Sequence, residues 1–235
     1  GVRDVPPPLA PDGQLPVERG RQLYLRGCAG CHGQQGQGSQ SGPSLVGVGA
    51  ASAHFQLSTG RMPLAKVVDQ PPRAEPAYSS IDLEALVQYV ASLGPGQPIP
   101  HLPEGDLQTG RELYIANCAS CHSSSGVGAA LPDGHYAPTV LNDSSQQIAE
   151  AVRVGPGLMP RFSSDVLSDE QLASIVTYVR QIPQRDDRGG WPLGGLGPLT
   201  EGAVGWAFGL GLLLVVIRLL GQRAEPPRHD ERTSP

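Results

Sequence analysis

The pentapeptide Cys28-Ala-Gly-Cys31-His32 recurs ninety residues later as Cys118-Ala-Ser-Cys121-His122. A Gly-Arg-x-Leu-Tyr segment precedes each copy at the same distance, at residues 20–24 and 110–114. The two regions align without gaps, so the chain contains one unit written twice.

The two repeats also end alike, on segments whose apolar residues recur at helical spacing. These segments are residues 82–93 and 169–182, and both begin with an acidic residue suited to a helix N-cap or first turn. Stretches rich in Gly, Pro and Ser lie between the start and end of each repeat. We therefore expect two helical units whose ordered loops surround a bound group.

Cys-x-x-Cys-His is the attachment signature of c-type haem. The two thiols form thioethers with the haem vinyl groups, and the histidine that follows is placed to ligate the iron. The pattern predicts two haem c groups, each with two attachment cysteines and one axial histidine: Cys28, Cys31 and His32, then Cys118, Cys121 and His122. All four cysteines of the chain are used in this way.

Other interpretations of the four cysteines fit less well. A zinc ribbon usually has its cysteine pairs about 15–20 residues apart, whereas 86 residues separate these pairs. A thioredoxin-like motif needs a preceding strand, and here a helical pattern precedes the cysteines. Disulfides are possible with four cysteines, but they give no reason for a histidine directly after both pairs.

The chain has two methionines, and each repeat contains one of them directly before a proline. Met62 lies thirty residues beyond His32, and Met159 lies thirty-seven beyond His122. Methionine more often fills a hydrophobic core, but two core residues would not share this local context. We predict that Met62 and Met159 complete the axial coordination. Filled His/Met coordination leaves no open position for oxygen or peroxide, and it favours electron transfer.

Other candidate residues near the haems are prolines and histidines. Pro43 and Pro138 follow the two motif histidines, and their carbonyl groups could accept a hydrogen bond from the second ring nitrogen. Ordinary loop prolines explain these two positions equally well. The remaining histidines lack a motif and are expected in loops or on the surface, with His54 the nearest to a methionine loop: His54, His101, His135 and His229.

The composition suits a protein whose fold is organised around a bound cofactor rather than around an aliphatic core. Of 235 residues, 39% are hydrophobic and 5% aromatic, while 31 are Gly and 24 are Pro, a poor supply of core side chains for this length. The net charge of −5 argues against a nucleic-acid partner. Lys66 is the only lysine, so a lysine ring of the kind used by small diffusing cytochromes cannot form.

One segment, residues 202–220, is apolar enough to cross a bilayer. Its single charge, Arg218, lies near the end, where it can reach the headgroups. A buried soluble helix is the alternative, but no polar stripe interrupts the segment. Arginines in the tail at 221–235 predict that the C-terminus is cytoplasmic and the haem units lie outside, although Arg185 and Arg188 weaken the asymmetry. A start at Gly1 is compatible with a removed export signal or anchor.

The expected fold is mainly α, with two tandem class I cytochrome c-like domains followed by one C-terminal transmembrane helix. The predicted divisions are a Pro-rich segment at 1–17, a first domain at 18–95, a linker at 96–105, a second domain at 106–184, a Gly/Pro-rich neck at 185–201, the span at 202–220 and the tail at 221–235.

Beyond these motifs, the sequence resembles the dihaem cytochrome c subunit of actinobacterial menaquinol–cytochrome c reductase, the cytochrome bcc complex. The resemblance extends from about residue 13 to about residue 221. A Gly-Arg-Met-Pro loop at 60–63 and the glycine-rich neck are its most particular features, and it is carried by residues 42–49, 56–63, 110–114, 136–138 and 189–198.

The resemblance implies a role within a membrane complex. In that family a Rieske iron–sulfur protein passes electrons to the N-terminal haem, and they continue through the C-terminal haem to the copper centre of a terminal oxidase. The implied partners are cytochrome b, the Rieske subunit and the oxidase. The chain would be a subunit of an oxidoreductase without a substrate-converting site of its own. A free-standing anchored dihaem carrier serving several partners is the alternative, and a dihaem peroxidase or a structural zinc protein fits less well.

Overall fold

The computed structural model of the protein describes residues 16–184 and 198–223. Parts of the Pro-rich segment, the neck and the tail expected from the sequence lie outside these described residues, at 1–15, 185–197 and 224–235. The last described helix begins at Pro198, inside the range expected to form the neck. Proline is favoured in the first turn of a helix, where its missing N–H leaves no hydrogen bond unmade.

Helices form most of the described structure, and one in each unit, at 49–58 and 145–154, lies within a stretch that the sequence led us to expect as ordered loop. The first unit contains α1 Pro16–Gly27, α2 Ala29–His32, α3 Gly49–Ser58 and α4 Ser80–Ser92. The second contains α5 Leu107–Asn117, α6 Ala119–His122, α7 Ser145–Val154 and α8 Asp169–Gln181. Short 3₁₀ turns cover Pro132–Gly134 and Ile182–Gln184, and a two-residue antiparallel ribbon pairs β1 Ala129–Ala130 with β2 Tyr136–Ala137.

Serine side chains fix where the helices that close each repeat begin. Ser79 accepts a hydrogen bond from the backbone N–H of Asp82 at the start of α4. Ser168 forms a reciprocal capping box with Gln171 at the start of α8. Each cap stabilises its helix by about 1 kcal/mol. The acidic residues expected at these ends therefore lie in the first turn, and serines occupy the N-caps.

The Gly-Arg-x-Leu-Tyr segments bring the first and last helices of each unit into close contact. A Cβ atom at Gly20 would lie 1.9 Å from the carbonyl oxygen of Ala85, and one at Gly110 would lie 1.9 Å from that of Ser174. Glycine is required because only it lets the helix backbones approach so closely. In both units the segment therefore sets the crossing of α1 on α4 and of α5 on α8.

The tyrosine of each segment anchors the core beside this crossing. The Tyr24 ring lies 5.1 Å from that of Tyr89, and the Tyr114 ring lies 5.4 Å from that of Tyr178. Their hydroxyls donate to the carbonyls of Gly33 and Ser123, which directly follow the motif histidines. The repeated tyrosine thus ties the helix core to the end of the Cys-x-x-Cys-His turn.

The two units pack together through α3 of the first and α7 of the second. His54 Nδ1 lies 2.8 Å from the carboxylate of Glu150, whose side chain is completely buried. The Gln147 amide donates to the carbonyl and hydroxyl oxygens of Ser58, both at 3.1 Å. Arg73 of the first unit pairs with Asp143 of the second. Polar contacts therefore hold the two units in a fixed relation.

The last helix, α9 Pro198–Arg223, is described by itself. The region Gly202–Gln222 within it is long and apolar enough to cross a membrane, and it contains the segment predicted at 202–220. Trp206 and Phe208 are 72% and 75% exposed. Such exposure of large apolar side chains does not fit the buried core helix of a soluble protein.

Candidate haem-binding sites

A single helical turn presents the first Cys-x-x-Cys-His motif. Helix α1 ends at Gly27, Cys28 precedes the four-residue α2, and the backbone N–H of His32 donates to the Cys28 carbonyl at 2.9 Å. This turn fixes the two thiols and the imidazole relative to one another. His32 is buried, with 9% of its surface exposed.

The motif histidine of the first unit is oriented by a proline carbonyl. His32 Nδ1 lies 2.8 Å from the carbonyl oxygen of Pro43. Because a carbonyl can only accept, Nδ1 carries the proton and donates it, which leaves the lone pair of Nε2 free for a metal.

The second unit has the same arrangement. The His122 N–H donates to the Cys118 carbonyl at 2.9 Å, and His122 Nδ1 lies 2.9 Å from the carbonyl oxygen of Pro138. The backbone then turns through left-handed conformations, at Gly33 (φ 80°) in the first unit and at Ser123 (φ 59°) in the second. Both units thus offer a histidine in the tautomer that binds iron through Nε2.

Methionine loops lie against the same cores as the motifs. Cys28 and Met62 pack on the buried core of the first unit, and Cys118 and Met159 on that of the second. The backbone N–H of Met62 donates to the Gln56 carbonyl at 3.1 Å, which ties the loop back to α3. Each candidate methionine therefore belongs to the same core as its candidate cysteine.

The buried Arg153 holds the second methionine loop in place through hydrogen bonds. The sequence gave no reason to assign it this role. It is 2% exposed and donates to the carbonyls of Phe162 and Leu167 at 3.1 and 2.7 Å. It also pairs with Asp169 at 2.6 Å. One buried guanidinium thus holds the segment that follows Met159.

A cavity of about 490 Å³ lies at the second site and is lined by all four predicted residues, Cys118, Cys121, His122 and Met159. Its volume falls within the range of cofactor pockets, roughly 300–1,000 Å³. Much of its wall is apolar and comes from α7 and α8: Ile148, Val152, Ile175 and Val179. Two thiols, an oriented imidazole and a thioether around an apolar slot fit a covalent haem.

The first unit also lines this second cavity, which the sequence pattern did not reveal. Phe55, Gln56 and Arg61 lie in its wall, and the Arg61 guanidinium carbon stacks 5.1 Å from the centre of the Phe55 ring. Burial lowers the pKa of Arg61, because desolvation disfavours its charged form. Burial also raises the pKa of Asp143 in the same wall, against the opposing effect of Arg73 and Arg61.

The cysteines do not resemble those of a dithiol redox site. Burial raises the pKa of Cys28 and of Cys118 to about 11, because desolvation disfavours the thiolate. Thioredoxin-type motifs instead lower the pKa of their reactive cysteine. Within residues 16–184 and 198–223 there is also no cluster of three His, Cys, Asp or Glu side chains that would hold a zinc ion.

Two histidines expected in loops or on the surface have more specific positions. His54 lies in the contact between the units, where its hydrogen bond with Glu150 raises its pKa. His135 lines the second cavity. Sequence spacing alone could not place either one, since both positions depend on how the two units pack.

Comparisons with known proteins agree with the repeat. The family model "Cytochrome c" matches residues 17–94, and the model "Cytochrome C oxidase, cbb3-type, subunit III" matches residues 105–179. The cytochrome bc1 complex cytochrome c subunit of Corynebacterium diphtheriae is 36% identical and aligns over 91% of this chain and 83% of its own length. That of Mycobacterium tuberculosis is 38% identical over 88% of this chain and 78% of its own length.

The chain belongs to the family of cytochrome bc1 complex cytochrome c subunits. Among solved structures, cytochrome c4 from Pseudomonas stutzeri is similar at 22% identity and a TM-score of 0.26, over 69% of this chain and 96% of its own. That superposition is too poor to add to the assignment.

Membership of this family confirms the fold and the cofactors expected from the sequence. The protein has two cytochrome c domains, mostly helical, and one candidate C-terminal transmembrane helix. Two cytochrome c domains carry two covalently bound haem c groups, in agreement with the two Cys-x-x-Cys-His motifs.

Proposed function

We propose that this chain is the electron-transfer subunit of a quinol–cytochrome c reductase, with His32 and Met62 ligating one haem iron and His122 and Met159 the other. The observation that carries the proposal is the cavity lined by Cys118, Cys121, His122 and Met159. Each motif histidine donates from Nδ1 to a proline carbonyl, so Nε2 is free for iron in both domains.

When bound, haem c supplies a one-electron couple of the iron. The protein's own residues hold the cofactor and set its properties. Cys28, Cys31, Cys118 and Cys121 would attach it, and the proline carbonyls fix the imidazole planes. A thioether ligand raises the reduction potential, and the apolar wall limits the access of water. His32 and Met62, and His122 and Met159, would hold the iron from both sides, which would disfavour substrate chemistry there.

The proposed path leads from a Rieske iron–sulfur subunit to the N-terminal haem, then to the C-terminal haem and the copper centre of a terminal oxidase. Cytochrome b would be the other partner within the reductase. The resemblance of the sequence supports this order, and the relatives' description as bc1 complex subunits supports the assembly. The polar contacts between α3 and α7 keep the two domains together, as a fixed relay requires.

The proposed domains are residues 18–95 and 106–184, joined by a linker at 96–105. The family models match 17–94 and 105–179, which supports these limits. We propose that the helix at 202–220 anchors the chain in the cell membrane, with the haem domains on the outer face. The arginines after the span support this orientation.

Truncation of residues 202–235 tests the proposal. Without the span, both domains should fold with two haems, but the cytochrome should leave the membrane and quinol-driven oxygen uptake should stop. A matched control replaces residues 202–220 with an unrelated apolar span, which should restore membrane binding. Undiminished quinol-driven oxygen uptake in the truncated protein would contradict the fixed-relay function.

Purification separates this function from that of a free-standing anchored carrier. Gentle detergent extraction of the full chain should bring a cytochrome b and a Rieske protein with the haem-stained band. A haem-stained band that purifies alone under the same conditions would support the independent carrier instead.

A further inference from the structure

Two buried polar atoms at the second cavity have no partner. Among the residues that the structure describes, neither Nη1 of Arg61 nor Oε1 of Gln56 has a hydrogen-bond partner, and both atoms are shielded from solvent. Both side chains belong to the first domain and line the cavity of the second. Leaving a buried guanidinium nitrogen without a hydrogen-bond partner is unfavourable, so a group that bonds to it belongs at this position.

The local charges leave room for an additional anion. The charge of the partly buried Asp143 acts on Arg61, but Arg73 already pairs with this carboxylate. Two guanidinium groups thus share one partly buried carboxylate. Asp69 also lines the cavity but is exposed to solvent. Asp143 therefore compensates the charge of Arg61 only in part, and an anion that enters the cavity can pair with Arg61.

Beside Phe55 and Pro71, the first domain contributes polar side chains to the wall of the cavity. Gln56, Arg61, Asp69 and Gln70 come from the first domain, whereas α7 and α8 supply aliphatic side chains. A haem has the matching asymmetry, since its ring is apolar and its two propionates are anionic carboxylates. Gln70 is already engaged, because its amide donates to the Tyr136 carbonyl at 2.6 Å.

We propose that Arg61, assisted by Gln56, binds a propionate of the haem held in the second domain. The guanidinium fork donates to the carboxylate, an arrangement that arginine forms with favourable geometry. The Gln56 amide joins by rotating its NH₂ group into the position now taken by Oε1. The first domain thereby completes the haem site of the second.

The internal repeat supports a specialised role for this arginine. Arg61 directly precedes Met62, and the matching position before Met159 is Leu158, which is 67% exposed. The two methionine loops therefore differ at a position that, in the first loop, reaches across to the neighbouring domain. Because Arg61 adjoins the proposed ligand of the first haem, its contact with the second haem links the two sites.

Spectroelectrochemical titration of the full dihaem protein tests the proposal. We expect Arg61→Gln to reduce the equilibrium constant for reduction of the second haem about tenfold, because a positive charge near that haem is lost. For a one-electron couple this lowers the reduction potential by about 59 mV. Arg61→Lys keeps the charge and should recover most of this loss. A separate Met159→His variant assigns the wave of the second haem, since loss of the methionine lowers its potential.

Arg161→Gln is the matched control. Arg161 is exposed and lies two residues from Met159, and its guanidinium bonds only to Gln97 at 3.0 Å among the contacts of the described chain. The control removes the same charge outside the cavity, where solvent screens it. Equal shifts in Arg61→Gln and Arg161→Gln would overturn the proposal, as would a shift confined to the first haem.

Infrared difference spectra of reduction, recorded with isotope-labelled propionates, give a direct readout of the contact. The carboxylate bands should change in Arg61→Gln and recover in part in Arg61→Lys. Unchanged bands in Arg61→Gln would overturn the proposal even if the potential moved.

The proposal rests on the ligation of the second haem proposed above, and haem content and methionine-ligation spectra of the wild type check that assumption separately. Absence of the second haem or of its methionine ligation would contradict the proposed function. Intact ligation with unaltered propionate bands would contradict the role of Arg61 alone.

Discussion

Replacing Gly20 with alanine should destabilise the first domain by forcing its two central helices apart. The new Cβ would lie 1.9 Å from the Ala85 carbonyl oxygen and 2.8 Å from Tyr89 Cβ. Contacts of a Cβ below 3.0 Å are essentially never found, so α1 and α4 must separate by about 1 Å. Overpacking of this kind costs about 1–3 kcal/mol, and we expect the upper end because the opposing atom is backbone.

The assay is denaturant unfolding of the full haem protein, followed by haem absorbance and by circular dichroism. Gly30→Ala is the control, because within the described chain no atom lies within 4 Å of the added Cβ, and the second repeat has Ser120 at the matching position. Gly110→Ala should be as costly as Gly20→Ala, since its Cβ would meet the Ser174 carbonyl at 1.9 Å. A Gly20→Ala protein as stable as Gly30→Ala would refute the role assigned to the repeated glycine.

Three further predictions concern the domain contact and the methionine loops. The hydrogen bond with Glu150 raises the pKa of His54, so its stabilising effect should be complete below the unfolded pKa of about 6.5 and disappear as pH rises through the higher folded pKa. His54→Gln should therefore lower Tm on the acidic side and flatten its dependence on pH, and an unchanged pH profile would contradict this. Arg153→Met leaves buried carbonyls and Asp169 without their donor and should cost about 2–4 kcal/mol in unfolding free energy, with weaker methionine ligation at the second haem alone. Gly60→Ala should loosen the first methionine loop, because its Cβ would lie 2.2 Å from the Ala74 carbonyl oxygen at a φ of 64°; methionine-ligation spectra that match the wild type would count against it.

Local sequence patterns predicted the features that local chemistry determines. The repeated Gly-Arg-x-Leu-Tyr and Cys-x-x-Cys-His segments indicated two helical units. The structure explains the repeated glycine by the close crossing of two helices. It explains the repeated tyrosine by the hydrogen bond of its hydroxyl to the carbonyl that follows the motif histidine. The proline carbonyls lie within hydrogen-bonding distance of the motif histidines, although the sequence favoured that contact no more than an ordinary loop proline. Each proline lies close enough along the chain to its motif histidine for one loop to bring the two residues together.

Contacts between the domains could not be predicted in this way. Arg61 lines a cavity built mainly by the other domain, and His54 meets a carboxylate 96 residues away. Neither Arg61 nor His54 belongs to a motif, because the contacts of each depend on how α3 packs on α7. The one sequence signal was the difference between Arg61 and Leu158 at matching positions of the repeat, which becomes informative only when the cavity is known.

The proposed function requires each domain to ligate its haem iron through one histidine and one methionine. Proton NMR of the reduced, diamagnetic protein tests it directly, because the methyl group of a ligating methionine lies over the haem ring and is strongly shifted by the ring current. We predict two such methyl resonances, of which Met62→His removes one and Met159→His removes the other. A wild-type spectrum with fewer than two, or a variant that leaves both in place, would contradict the account.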